Sequence, residues 1–158
     1  MFETEVTKYL DNHSVSYEVK LHKKPAFTCA SAAEQRNVRL SQIVKCMVGR
    51  DNKGALYVML IPGDRVLKLR KVRSHLGGKP VQLIPPLELE KEFGVTVGAM
   101  SPFQFLGKAR VLLDPTVLEE EVVDISSGDP LAGIELASKD LLLLTNADQS
   151  DIISANKY

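Results

Sequence analysis

Two nearly continuous apolar runs joined by four turn residues constrain this chain most: QIVKCMVGR (42–50), DNKG (51–54) and ALYVMLIPGD (55–64). Asp, Asn and Gly between two strand-like runs read as a β-hairpin. A strand with one wet face alternates apolar and polar residues, and these two do not, so other elements must cover both faces of the hairpin. One residue breaks the pattern. Lys45 shares a strand face with Ile43 and Met47, while Val44, Cys46 and Val48 share the other. Taking an ammonium out of water without a partner is costly, so Lys45 either marks a sheet edge, with its head reaching solvent, or lines a cavity.

The remaining elements fall around this hairpin. Phe2, Val6, Tyr9 and Leu10 recur at helical spacing before DNHS, giving a first helix of about three turns. VSYEV alternates as a strand, with Tyr17 and Val19 on one face, and Thr28 is placed to cap a short helix in CASAAEQRN. RVLKLRKV alternates Val66, Lys68 and Arg70 against Leu67, Leu69 and Lys71, followed by RSHLGG as a helix end. PPLELEKEFG reads as a helix from its prolines to Gly94, ARVLLD as a strand, and IELASKDLLLLT as a strand, an N-cap at Ser138 and a helix. The tail from about 146 to 158 has no core pattern and is expected to fray. Strands interleaved with helices predict an α/β (α+β) fold: one domain over 1–158 with a mixed, largely antiparallel sheet flanked by helices. A chain of 158 residues is long enough to enclose one real core.

Composition narrows the function classes. The longest apolar run, Leu141 to Leu144, is too short to span a bilayer, and the acidic start of the chain is unlike a secretory signal, so a cytoplasmic protein without membrane attachment is expected. Cys29 and Cys46 form no metal or disulfide spacing, and with three scattered histidines no metal site and no cofactor are expected. Twenty basic side chains balance twenty acidic ones. The basic ones nevertheless gather, with Lys23 and Lys24 inside the segment 20–39 and Lys68 and Arg70 inside 65–79, each either a solvated face or a surface for a phosphate backbone. The acids gather at 88–92 and 119–121.

Two small-residue loops could complete a cavity around Lys45. In GVTVGAMSPF, Gly98 and Ala99 let a ligand approach the backbone, Met100 and Ser101 follow, and Pro102 stiffens the turn. In DISSGDPLAG, Ser126, Ser127 and Gly128 offer hydroxyl and backbone donors. Taken alone, each is more often only a turn.

Taken in order, QIVKCMV, YVMLIPGDRVLKLRKV, GVTVGAMSPF with ARVLLD, and SSGDPLAGIELASKDLL resemble the YbaK family of aminoacyl-tRNA editing domains, related to the insertion domain of bacterial prolyl-tRNA synthetases. The resemblance covers Thr28 to Leu144. It implies a trans-acting hydrolase of the ester in mischarged tRNA carrying alanine, cysteine or serine. Lys45, Gly98 and Ala99 would act on the ester. Cys46, Met100, Ser101, Ser126, Ser127 and Gly128 would shape the amino-acid pocket. The partner would be the acceptor end of an aminoacyl-tRNA, contacted by Lys23, Lys24, Lys68 and Arg70, with a synthetase as a second candidate partner and no DNA. Two departures bear on the pocket: Cys46 stands where many relatives have Thr or Asn, and Ala99 where a second glycine is common. An aminoacyl ester is reactive enough to need no strong nucleophile, so a fixed positive charge and backbone donors at 98–100 would suffice, with a tRNA hydroxyl orienting the water. Cys46, facing away from Lys45, reads as core, and His22 and His75 as surface or tRNA-facing residues. Two non-catalytic alternatives remain: a tRNA- or synthetase-binding module of the same fold, and an adaptor using Glu119 to Glu121.

Overall fold

The computed structural model describes residues 2–157. In chain order the elements are α1 (Glu5–Asn12), β1 (Tyr17–Leu21), α2 (Cys29–Arg36), β2 (Val44–Arg50), β3 (Leu56–Pro62), β4 (Arg65–Leu67), α3 (Leu69–His75), β5 (Gln82–Leu83), α4 (Pro86–Phe93), β6 (Ala109–Leu113), β7 (Val122–Ser126), β8 (Ala132–Ala137), α5 (Ser138–Leu144), β9 (Asp148–Gln149) and β10 (Ile153–Lys157). A five-stranded sheet runs β5-β2-β3-β6-β9, a three-stranded sheet runs β1-β8-β7, and β4 pairs with β10. Most pairs are antiparallel, while β3–β6 and β6–β9 are parallel, so the fold is α+β on a mixed, largely antiparallel framework.

The hairpin is the centre of the molecule. Asp51 closes its turn by accepting the backbone N–H groups of Lys53 and Ala55, and Gly54 takes the left-handed conformation (φ 88°) that the turn demands. Layers cover the hairpin on both sides. Val44, Val48, Val58 and Leu60 face the main core with Val6 and Leu10 of α1, Ile125 and Ile134 of the three-stranded sheet, Phe105 and Leu141. Met59, Ile61 and Leu112 face a second cluster with Val72 and Leu76 of α3 and Ile152. A third, smaller cluster seats α2 through Ala32, Ala33 and Ile43. The bridge between Ile43 and Asp124 joins the two larger sheets beside it.

Thr28 caps α2 by accepting the Ser31 N–H, as expected, and Asn37 ends it in the left-handed conformation. Gly94 ends α4 in the same way. Four expectations are corrected. The first helix is two turns long, because Thr4 caps it and Phe2 lies outside. The alternation expected through Lys71 stops at Leu67, since Val72 and Leu76 lie on one helical face and the chain follows that period into α3. Ser138 is not an N-cap; its Oγ donates to the Glu120 carbonyl, and Ala137 precedes the helix without a side-chain cap. The segment expected to fray forms β9 and β10, with Ile152 and Ile153 buried in the second cluster. Among the described residues no helix is long and apolar enough to cross a membrane.

Candidate active site

Three elements and two loops meet around Lys45. Strand β2 contributes Lys45, Cys46 and Met47, α2 with the loop before it contributes Phe27, Thr28, Cys29, Ala32 and Arg36, and Gly98, Met100 and Ser126 close the far side. Together they enclose a cavity of about 240 Å³. A larger opening lined by Gly107, Arg110, Asn146 and Asp148 contains none of the candidate site residues read from the sequence.

Lys45 is half-buried, and its Nζ donates to the carbonyl of Arg65 at 2.6 Å. With the ammonium on β2 and the accepting carbonyl on β4, the charge is fixed at the cavity wall. Arg65 is itself tied to β10 through an Nη2 bond to the Ser154 carbonyl, so the last strand braces the seat of the lysine. Ser126, at the end of β7, lines the cavity from the other side. Gly98 adopts φ 91°, and a Cβ there would fall 2.5 Å from the Phe27 carbonyl oxygen; only glycine lets this loop close against the loop leading into α2.

Other residues expected at the site are placed differently. Ala99 is buried; its N–H donates to the Thr96 carbonyl and its carbonyl accepts the Gly128 N–H, so it offers no backbone donor to a ligand. Ser101 is fully buried as the cap of the 3-10 turn at Pro102–Phe105, its Oγ accepting the Phe103 N–H. Ser127 is buried too, with its hydroxyl donating to the Ala132 carbonyl. Gly128 ties its loop to that of Ala99 and packs against Gln104 rather than lining the cavity. Lys45, Cys46, Gly98, Met100 and Ser126 are therefore brought together, and Ala99, Ser101, Ser127 and Gly128 support the two loops from behind. Lys23, Lys24 and Arg70 are exposed, and Lys68 is half-buried at the start of α3.

Both cysteines line the cavity, yet neither is primed as a nucleophile. Burial against the core pushes the Cys46 thiol up to about 12. Burial also raises Cys29, with Lys45 and Arg36 pulling the other way. His22 is not a free surface residue. Its Nδ1 stands 2.8 Å from the Pro130 carbonyl and its Nε2 accepts from Arg36, and burial holds its pKa below the usual imidazole range. Arg36 itself was missed in the sequence, although the face Cys29, Ala32, Ala33, Arg36 at helical spacing runs straight through it. That face was the available signal. Among the described residues no group of His, Cys, Asp or Glu is arranged to hold a metal.

A small cavity walled by a seated cation, a serine and a glycine loop, hung on a two-sided α+β framework, defines a domain built around one small-ligand pocket. Comparison with known proteins fixes the class further. Residues 23–144 match the model of the aminoacyl-tRNA editing domain, and the chain belongs to that family. It is 26% identical over 152 residues, 95% of this chain and 93% of the relative, to the Enterococcus faecalis protein named "Putative Cys-tRNA(Pro)/Cys-tRNA(Cys) deacylase EbsC". It is 26% identical over 113 residues, 70% of this chain and 67% of the relative, to the Escherichia coli multifunctional Ser/Thr-tRNA deacylase ProXp-y. The crystal structure of hypothetical protein APE2540 superposes with a TM-score of 0.88 at 28% identity, covering 96% of this chain and all of that one.

Proposed function

We propose that this protein is an aminoacyl-tRNA deacylase that acts in trans, hydrolysing the ester of a mischarged tRNA whose amino acid is small: alanine, cysteine or serine. The observation that carries this reading is Lys45, held by the Arg65 carbonyl at the wall of a cavity sized for a small side chain and its ester. Relatives named as deacylases of small-residue esters support it.

An aminoacyl ester needs positioning more than activation. Lys45 sits where its charge can stabilise the oxyanion that forms when water adds to the carbonyl, or hold the terminal ribose and phosphate. Of the loop amides, those of Gly98 and Met100 remain candidates for the same oxyanion, because the Ala99 N–H is committed to Thr96. Neither thiol is needed, and a hydroxyl of the terminal adenosine would orient the water. The apolar walls exclude large side chains, which is the discrimination a pocket makes most easily. Of the acids in the adaptor alternative, Glu120 is engaged by Arg39 and Ser41, while Glu119 and Glu121 are exposed.

Deacylation of tRNAs charged with alanine, cysteine, serine or proline, compared between wild type and Lys45→Ala, tests the proposal. Hydrolysis of a small-residue ester that falls by about 10²–10³ in kcat/KM in the variant is expected. Equal rates in both proteins would remove Lys45 from the mechanism, and no hydrolysis by a folded wild type would leave a binding module.

A further inference from the structure

The charge on the inner wall of the cavity is Arg36, and its surroundings are built around it. Only 7% of the residue is exposed. Its guanidinium lies on the backbone of β8 at Gly133, where a Cβ would come within 2.1 Å of Cζ, so any larger residue would evict it. Nε donates to His22 Nε2 at 3.0 Å, and because His22 Nδ1 faces the Pro130 carbonyl, the ring keeps its proton there and stays neutral toward Arg36. Nη1 donates to the Ile125 carbonyl at 3.3 Å and lies 3.9 Å from Asp124, which is fully buried and whose oxygens accept no hydrogen bond among the described residues. Those bonds fix the orientation of the fork and engage Nε and Nη1. No acceptor among the described residues is placed on Nη2.

We infer that Arg36 is a specificity-determining residue: with Ser126 lining the same cavity, its guanidinium receives the side-chain oxygen of a hydroxyl-bearing aminoacyl group, so seryl esters are preferred over alanyl esters of nearly equal size. This rests on the deacylase reading and narrows its substrate. A pocket with apolar walls alone separates serine from alanine poorly. A preoriented charged donor changes that balance, because a methyl group arriving in front of it leaves the donor dry and unpaired. A hydroxyl accepts from it in a charge-assisted bond. A thiol, a weaker acceptor, falls between the two. Asp124 lies beneath the guanidinium, 3.9 Å from Nη1, as the nearest carboxylate to the buried fork.

The test compares kcat/KM on Ser-, Cys- and Ala-tRNA for wild type, Arg36→Met, and the pair Arg36→Met with Asp124→Asn, which removes both buried charges and protects against misfolding of the single variant. Calorimetric binding of the non-hydrolysable 3′-seryl-amido and 3′-alanyl-amido adenosines to the same proteins separates recognition from chemistry. Wild type should favour serine over alanine by about tenfold or more in both assays. In the folded variants the seryl-to-alanyl ratio should collapse toward one in both assays. A wild-type ratio near one, or a ratio unchanged in the folded double variant, overturns the inference. Seryl-amide preference without hydrolysis of any ester would sustain Arg36 as the selector and sink the deacylase reading. Hydrolysis without preference does the reverse, and neither binding nor hydrolysis sinks both.

Discussion

Asp124 is a carboxylate with no exposed surface, buried among charged side chains from three elements. It faces Arg36 from α2, Glu135 directly across the β7–β8 ladder, and Lys20, which pairs with Glu135 from β1, while His22 lies behind Arg36. Burial and the like charge of Glu135 outweigh Arg36 and push its pKa up to about 7. The sign of the pH effect follows. Stability contributed by the protonated form is fully present below the unfolded carboxylate range near 4 and is lost as pH rises through about 7. Asp124→Asn, permanently neutral, should therefore gain on wild type by roughly 1–3 kcal/mol between pH 5 and pH 8 in urea unfolding. A difference that stays flat, or moves the other way, would show that the ion pair with Arg36 governs the site. At this scale the sequence was readable where a residue broke its own pattern. Lys45 interrupts two apolar faces and was found. Arg36 was hidden because an arginine in a short polar helix looks like a solvated one, and Ala99, Ser101 and Ser127 looked available because sequence does not show which backbone and hydroxyl groups a loop spends on itself.

Among the elements, β10 carries more than its sequence suggests. Ile152 beside it is fully buried, and its N–H donates to the carboxylate of Asp114, itself buried. Ile152→Ala should cost about 2–4 kcal/mol in denaturant unfolding, the range for a buried aliphatic side chain truncated in a packed core. A cost under about 0.5 kcal/mol would mean that the segment does not hold the second core layer. ISANK has neither apolar alternation nor β-branched density after its first residue. It becomes a strand only because β4 is there to pair with it, which is information about distant sequence. The hairpin and the caps at Thr28 and Gly94 are local, and were legible for that reason. β4 and α3 were blurred together because charged residues alternate through both.

For the molecule as a whole, equal numbers of acidic and basic side chains mean that attraction for a polyanion must come from local grouping. Lys23 and Lys24 precede Phe27 at the rim of the cavity, and Lys68 and Arg70 follow the strand whose carbonyl holds Lys45. Reversing the charge at Lys68 and Arg70 together should weaken tRNA binding and flatten the slope of log affinity against log salt by about 1–2, measured by filter binding at several ionic strengths. Unchanged affinity at low salt would take this surface out of the interface. The class of fold was legible from interleaved strands and helices. The parallel pairs were not, because a parallel ladder depends on crossovers that local pattern does not specify. Finally, the β4–β10 ladder sets an order of assembly. The hairpin closes across the five residues 51–55, a fast local event, whereas Leu67 meets Ile153 only after most of the chain has been drawn in. A high-contact-order clasp of this kind forms late, so a nascent chain would acquire its core before its lysine is fully braced.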